Sequence, residues 1–136
     1  MERLIEQELL QWKTKRGRLP LIIRGARQVG KSYIVEKFGK DHFDSIVVVD
    51  FEFQPRFCEC FETLDPKMIL NRLEVMTGET IIKGKTLLFL DEIQQCPQAI
   101  KALRYFKEKM PSLHVIAAGS LLEFVLNESD FSFPVG

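Results

Sequence analysis

Four short apolar segments, separated by stretches with helical periodicity, constrain the fold of this chain more than any other feature of its sequence. The segments are PLIIR (20–24), SIVVVDFEF (45–53), KTLLFLDE (85–92) and LHVIAAGS (113–120). They are largely apolar rather than alternating, so each predicts a strand that is buried on both faces. Strands that alternate with helices predict an α/β fold, in which a mostly parallel sheet has helices on both faces.

The intervening stretches have apolar residues three and four positions apart, which is typical of amphipathic helices. Their predicted ranges are 3–13, 30–40, 65–78 and a segment that begins at Pro97. The third helix has the clearest ends. Asp65 is a suitable N-cap, Pro66 suits the first turn, and Gly78 can end the helix.

The sequence GARQVGKS (25–32) lies between the first strand and the second helix, and it fits the pattern G-x-x-x-x-G-K-[ST] in full. Glycines allow successive backbone N–H groups to point at one anion, and the following helix adds the positive end of its dipole. In this motif Lys31 reaches the β- and γ-phosphates, and the Ser32 hydroxyl binds Mg²⁺. The predicted nucleotide-binding residues are Gly25, Ala26, Arg27, Gln28, Val29, Gly30, Lys31 and Ser32. The sequence contains no [NT]-K-x-D motif for guanine, which favours ATP as the nucleotide.

Two adjacent acids, Asp91 and Glu92, end the third apolar segment. Ligands of a parallel sheet bind at the carboxyl ends of its strands, and the glycine motif follows another such end. A nucleotide site needs a carboxylate there to hold the hydrated Mg²⁺, and Asp91 fits this role. Glu92 fits a base that orients or deprotonates the attacking water. The alternative for Glu92 is a solvated acid that caps the helix beginning near Pro97.

Ser120 ends the fourth segment and has two interpretations of equal weight. Its hydroxyl could contact the γ-phosphate or the attacking water, which makes it a candidate catalytic residue with Lys31 and Glu92. Alternatively, Ser120 and Glu123 form a capping box for a helix that follows.

Other charged residues near the predicted edge have weaker claims. Arg27 could contact phosphate or point towards a neighbouring subunit, and the sequence leaves both open. Arg104 could act on an adjacent site, although an exposed surface arginine is the favoured interpretation. Asp50 and Glu52 are interpreted as solvated acids at the end of the second strand.

Composition disfavours some classes of function, although a local basic patch would leave nucleic-acid binding open. Nineteen basic and nineteen acidic residues give a formal net charge of zero, so the charge does not support nucleic-acid binding. No apolar run is long enough to span a membrane, and the charged N-terminus MERLIEQELL does not resemble a signal peptide, so a cytoplasmic protein is expected. The three cysteines are expected to be reduced, partly buried thiols, and no metal site is expected among them.

The segments RGARQVGKSY, LLFLDEIQQCPQAIKALRYF and HVIAAGSLLEF, in this order, resemble the prokaryotic AAA+-type ATPases that carry a C-terminal domain of unknown function. The resemblance covers about residues 18–136. It implies a three-layer P-loop NTPase fold and Mg²⁺-dependent ATP hydrolysis, coupled to a conformational change in a partner domain or a homo-oligomer. Lys31 and Ser32 match the Walker A positions, Asp91 and Glu92 match Walker B, and Ser120 matches sensor 1.

The chain ends at SFPVG, where members of this family continue. It is therefore expected to be an N-terminal fragment, truncated before its last core strand, with the arginine finger and the sensor-2 arginine beyond Gly136. Residues 1–17 are expected to form an N-terminal helix and linker, and residues 18–136 the ATPase core. Two other functions stay open: a nucleotide-dependent binding module without efficient turnover, and a small P-loop kinase. The kinase is less favoured because the Asp-Glu pair suits water as the acceptor and residues 120–136 contain no arginine-rich lid.

Overall fold

Four strands form a central sheet between two layers of helices in the computed structural model, which describes residues 2–24 and 30–119. The helices and strands, in chain order, are α1 (Glu2–Thr14), β1 (Leu21–Arg24), α2 (Lys31–His42), β2 (Ser45–Asp50), α3 (Pro66–Thr77), β3 (Thr86–Asp91), α4 (Pro97–Lys109) and β4 (His114–Gly119). Two 3-10 helices, Pro55–Phe61 and Ile93–Gln95, precede α3 and α4.

The sheet has the strand order β1-β4-β3-β2, and each neighbouring pair is parallel. The last strand in sequence, β4, therefore lies between β1 and β3. The ends of the strands are in register, because Arg24 pairs with Gly119 and Asp50 pairs with Asp91. The predicted α/β class with a parallel sheet is confirmed.

Side chains of the strands divide between two apolar clusters, one on each face of the sheet. Leu88 and Leu90 pack into the cluster that contains α3 and α4, whereas Leu87 and Phe89 pack into the cluster that contains α1 and α2. Every residue of β3 is buried because β3 has a neighbouring strand on each side and helices on each face. Full burial of one such side chain stabilises the fold by about 1.5–3 kcal/mol.

Hydrogen bonds to backbone carbonyls join the C-terminal end of α1 to the segment that follows it and to β4. The Trp12 indole donates to the carbonyl of Leu19 at 2.7 Å, and Arg18 donates to the carbonyls of Lys13 and Pro111 at 3.0 and 2.9 Å. The buried His114 of β4 contacts the Lys13 carbonyl through Nε2 at 3.0 Å. Because a carbonyl can only accept, Nε2 of His114 is the protonated nitrogen of the neutral ring.

The helix boundaries confirm the predicted signals for α3. The Asp65 side chain accepts from the backbone N–H of Lys67 at 3.1 Å, and Gly78 ends the helix with φ 74°. The prediction for the second strand was wrong beyond Asp50. Asp50 Oδ1 accepts from the backbone N–H groups of Glu52 and Phe53, at 2.9 and 3.0 Å, and this local turn removes residues 51–53 from the strand.

The cysteines differ from the prediction of three reduced thiols. Cys58 and Cys96 form a disulfide with a Cα–Cα distance of 5.7 Å, whereas Cys60 is a buried free thiol. The fold brings the 3-10 helix Pro55–Phe61 against the start of α4, so two cysteines 38 positions apart become neighbours. No helix among the described residues has the length and apolar character needed to cross a membrane.

Candidate functional site

Two of the predicted site residues, Ser32 and Asp91, meet at the edge of the sheet where the parallel strands end. Ser32, in the first turn of α2, donates from its hydroxyl to Asp91 Oδ2 at 2.6 Å. These two residues are 59 positions apart in sequence. The fold therefore joins the end of the glycine motif to the first acid of the Asp-Glu pair, and β4, which pairs with both β1 and β3, ends at the same edge of the sheet.

Gly30 makes the transition into α2. Its φ of 112° is a conformation that side-chain-bearing residues rarely adopt. Ile34 donates to the Gly30 carbonyl at 2.9 Å, which forms the first helical hydrogen bond. Glycine has no side chain with which to cap the helix, so α2 begins without a side-chain cap. Helix N-termini of this kind bind phosphate through their backbone N–H groups and the helix dipole.

Asp91 is only 7% exposed, and each of its carboxylate oxygens accepts a hydrogen bond. Oδ2 accepts from Ser32, and Oδ1 accepts from the backbone N–H of Glu92 at 2.9 Å. Burial raises the pKa of Asp91 above its ordinary value, although both hydrogen bonds act to lower that pKa. A bound cation would favour the ionised carboxylate against this cost of burial.

The hydroxyl of Ser32 and the carboxylate of Asp91 are hard oxygen ligands of the kind that Mg²⁺ prefers. Among the described residues, no group of three or more His, Cys, Asp or Glu side chains is arranged to hold a metal ion. This donor set fits a magnesium ion that also keeps water and phosphate ligands, which is how Mg²⁺ is usually bound.

Glu92 has a strained backbone. Its φ of 53° is the one positive φ of a non-glycine residue in the part of the chain that the structure describes. Its carboxylate Oε1 accepts from the Gln94 side-chain amide at 2.8 Å. The alternative in which Glu92 caps α4 was wrong, because the N-cap of α4 is Cys96. Strained residues of this kind cluster at functional sites.

Asp50 and Arg104 lie outside the contact between Ser32 and Asp91. Asp50 ends β2 beside Asp91, and its side chain is occupied by its own turn. The side chain of Arg104 is 64% exposed and pairs with Glu108 at 3.3 Å, as expected of a surface arginine. Lys31 is the first residue of α2. Gly25, Ala26, Arg27, Gln28 and Val29 lie outside the described residues, and so do Ser120 and its proposed capping partner Glu123.

Sequence reasoning missed Gln94. The sequence places it two residues after Glu92, but a glutamine near an acid carries no chemical signature by itself. Its contact with Glu92 depends on the left-handed turn at Glu92 and on the 3-10 helix that follows.

Helices cover both faces of the sheet, a glycine motif lies between β1 and α2, and an acid ends β3. Together these features define an AAA-type P-loop ATPase core. The family model described as "AAA domain" matches residues 17–134. The chain belongs to this family, and it is an ATP-binding AAA-type core. The resemblance to AAA+-type ATPases stated above is thereby confirmed.

A comparison with solved structures supports the same fold. The structure of PCH-2 from C. elegans matches with a TM-score of 0.52 and 16% sequence identity, over 97% of this chain. The chain spans 38% of the length of PCH-2. No curated protein matches the sequence.

Proposed function

We propose that this AAA domain hydrolyses ATP in a Mg²⁺-dependent reaction and couples hydrolysis to a conformational change in a partner domain or an assembly. The observation that carries the proposal is the 2.6 Å hydrogen bond between Ser32 and Asp91. In P-loop NTPases, a serine or threonine of the glycine loop and an aspartate at the end of a strand hold Mg²⁺. Two residues that meet the chemical requirements of these roles are in contact here, although 59 positions separate them.

Each residue has one role in this proposal. Residues 25–30 surround the phosphates with backbone N–H groups, and Lys31 neutralises charge on the β- and γ-phosphates. Ser32 and Asp91 hold Mg²⁺, which supplies a positive charge that stabilises the charge developing on the transferred phosphoryl group. Glu92 accepts a proton from the attacking water or orients it. Ser120 follows β4 and contacts the γ-phosphate or the water.

ATP binding is tested by thermal unfolding of the 136-residue chain with and without excess Mg·ATP. A ligand that binds only the folded state, at about 100 times its Kd, adds about 2.7 kcal/mol to the free energy of unfolding. We expect the wild type to show the corresponding rise in melting temperature. Lys31→Ala should lose the rise because the variant lacks the ammonium group that contacts the phosphates.

Lys40→Ala is the matched control, since Lys40 is an exposed lysine at the other end of the same helix. It should keep the full rise in melting temperature. Two results would contradict the proposed site. One is a folded wild type whose melting temperature does not change with Mg·ATP, and the other is a Lys31→Ala variant whose melting temperature rises as much as that of the wild type.

A further inference from the structure

The side chain of Gln94 connects the acid at the end of β3 to the end of β4. Gln94 lies in the 3-10 helix Ile93–Gln95, directly after the strained turn at Glu92. Its amide Nε2 donates to Glu92 Oε1 at 2.8 Å. The charge of the carboxylate strengthens this hydrogen bond relative to one between two neutral groups.

The other end of the same amide, Oε1, packs against Gly119, the last residue of β4. A methyl group at position 119 would overlap Gln94 Oε1, so the close approach requires glycine. Gln94 Oε1 is buried and has no hydrogen-bond partner among the described residues. A buried acceptor without a partner costs free energy and calls for an explanation.

The backbone at Glu92 also has an energetically costly conformation. Glu92 has φ 53°, and its N–H is held by Asp91 Oδ1. The following turn is closed by the Gln95 and Cys96 N–H groups, which donate to the carbonyls of Glu92 and Ile93 at 3.1 and 2.9 Å. Two local costs, a strained φ and an unpartnered acceptor, therefore coincide at the residues that orient one carboxylate. Such costs persist where the geometry itself is needed.

We propose that Gln94 is a positioning residue for ATP hydrolysis. Its N–H group fixes the carboxylate of Glu92, and its carbonyl oxygen, packed against Gly119, fixes the amide. This inference rests on the proposed function, because it assigns to Gln94 a role that acts through Glu92. It also links the end of β4 to the base, since a displacement of Gly119 would move the amide that holds Glu92.

The test is steady-state ATP hydrolysis by Gln94→Met, which keeps the length of the side chain and removes the amide. Misplacement of a catalytic group by about 1 Å can cost on the order of 100-fold in rate, so we expect kcat to fall about 10- to 100-fold. KM for ATP and the rise in melting temperature with Mg·ATP should stay within about twofold of the wild type. The melting temperature without nucleotide should change little, because loss of the hydrogen bond to Glu92 destabilises the fold and removal of the unpartnered buried oxygen offsets that loss.

Gln95→Met is the matched control, since Gln95 is the exposed neighbouring glutamine, and it should keep the wild-type kcat. A second measurement combines Gln94→Met with Glu92→Gln under single-turnover conditions. If Gln94 acts through Glu92, the double variant should be no slower than Glu92→Gln alone.

Three results would overturn the inference while leaving the proposed function intact: an unchanged kcat in Gln94→Met, a fall in kcat matched by a fall in folded-state stability, or a full additional loss of rate in the double variant. A wild-type chain that binds Mg·ATP without hydrolysing it would overturn the proposed hydrolysis, and this inference with it.

Discussion

At the scale of single residues, the Asp91 carboxylate is oriented by donors from two parts of the chain. The Ser32 hydroxyl approaches Oδ2 from α2, and the Glu92 N–H approaches Oδ1 from the turn after β3. Both oxygens are thus held in place by groups of the protein. A ligand that binds here does not have to immobilise the carboxylate itself, which reduces the entropic cost of binding.

If Glu92 has the role proposed for it, its substitution by glutamine should separate ATP binding from ATP hydrolysis. The amide has nearly the same shape as the carboxylate but cannot accept a proton at neutral pH. We expect ATP hydrolysis to fall by about 10²- to 10⁴-fold, the usual contribution of a general base. The rise in melting temperature with Mg·ATP should remain. Phosphate release under single-turnover conditions measures the first quantity, and thermal unfolding measures the second.

Glu79→Gln is a suitable control because Glu79 is exposed and follows α3, away from the site. It should hydrolyse ATP at the wild-type rate. Turnover by Glu92→Gln within about twofold of the wild type would mean that another group activates the water.

At the scale of helices and strands, His114 connects β4 to the end of α1. The ring packs edge-on against Trp12 and Phe43, with centroid distances of 5.6 and 5.0 Å, and donates to the Lys13 carbonyl. Burial lowers the pKa of His114 from its ordinary value of 6.5 to about 4, and the neighbouring charges of Arg18 and Lys13 act in the same direction. The neutral ring is therefore the form that stabilises the packing of α1.

This pKa predicts how stability depends on pH. Between pH 6.5 and about 4 the unfolded chain binds a proton at His114 that the folded chain does not. The contribution is therefore fully present above pH 6.5 and is lost as the pH falls towards 4, with a total of about 3 kcal/mol. Urea unfolding of the wild type and of His114→Gln, at several pH values in this range, measures it. The variant should show a smaller decrease with falling pH, and equal slopes would contradict the prediction.

The positions of the strands could be predicted from the sequence, except for the end of β2. Apolar runs predicted all four strands because burial on both faces of a parallel sheet leaves no polar alternation. The end of β2 was wrong because the Asp50 side chain captures two backbone N–H groups, and an apolar run carries no information about such a turn.

Contacts between distant parts of the chain were harder to predict. The glycine motif and the Asp-Glu pair could be recognised as separate patterns, and the predicted parallel sheet placed them at one edge. The Cys58–Cys96 disulfide and the contact of Gln94 with Gly119 depend on how 3-10 helices pack against α4 and β4. Neither packing has a periodic signal in the sequence.

At the scale of the whole molecule, the disulfide joins two segments that enclose α3 and β3. In a chain-entropy description, closure of a loop whose ends are 38 positions apart stabilises the fold by about 4 kcal/mol. We expect protein that is refolded with reductant to melt at a lower temperature than the oxidised protein. Differential scanning calorimetry of both forms measures the difference.

Cys58→Ala provides the control, since it cannot form the bond and should melt at the same temperature with and without reductant. Identical melting of the oxidised and reduced wild type would show that the disulfide does not contribute to stability.

The strand order has a consequence for the timing of synthesis. Strands β1 and β3 do not pair with each other, because β4 lies between them. They are therefore connected in the sheet only after the segment His114–Gly119 has been synthesised. Helix α2 packs directly on β2 and β3, so Ser32 can approach Asp91 before that segment leaves the ribosome, whereas β1 can join the sheet only afterwards. Nascent chains that end before His114 should therefore lack an anchored β1 and bind nucleotide more weakly than chains that contain β4.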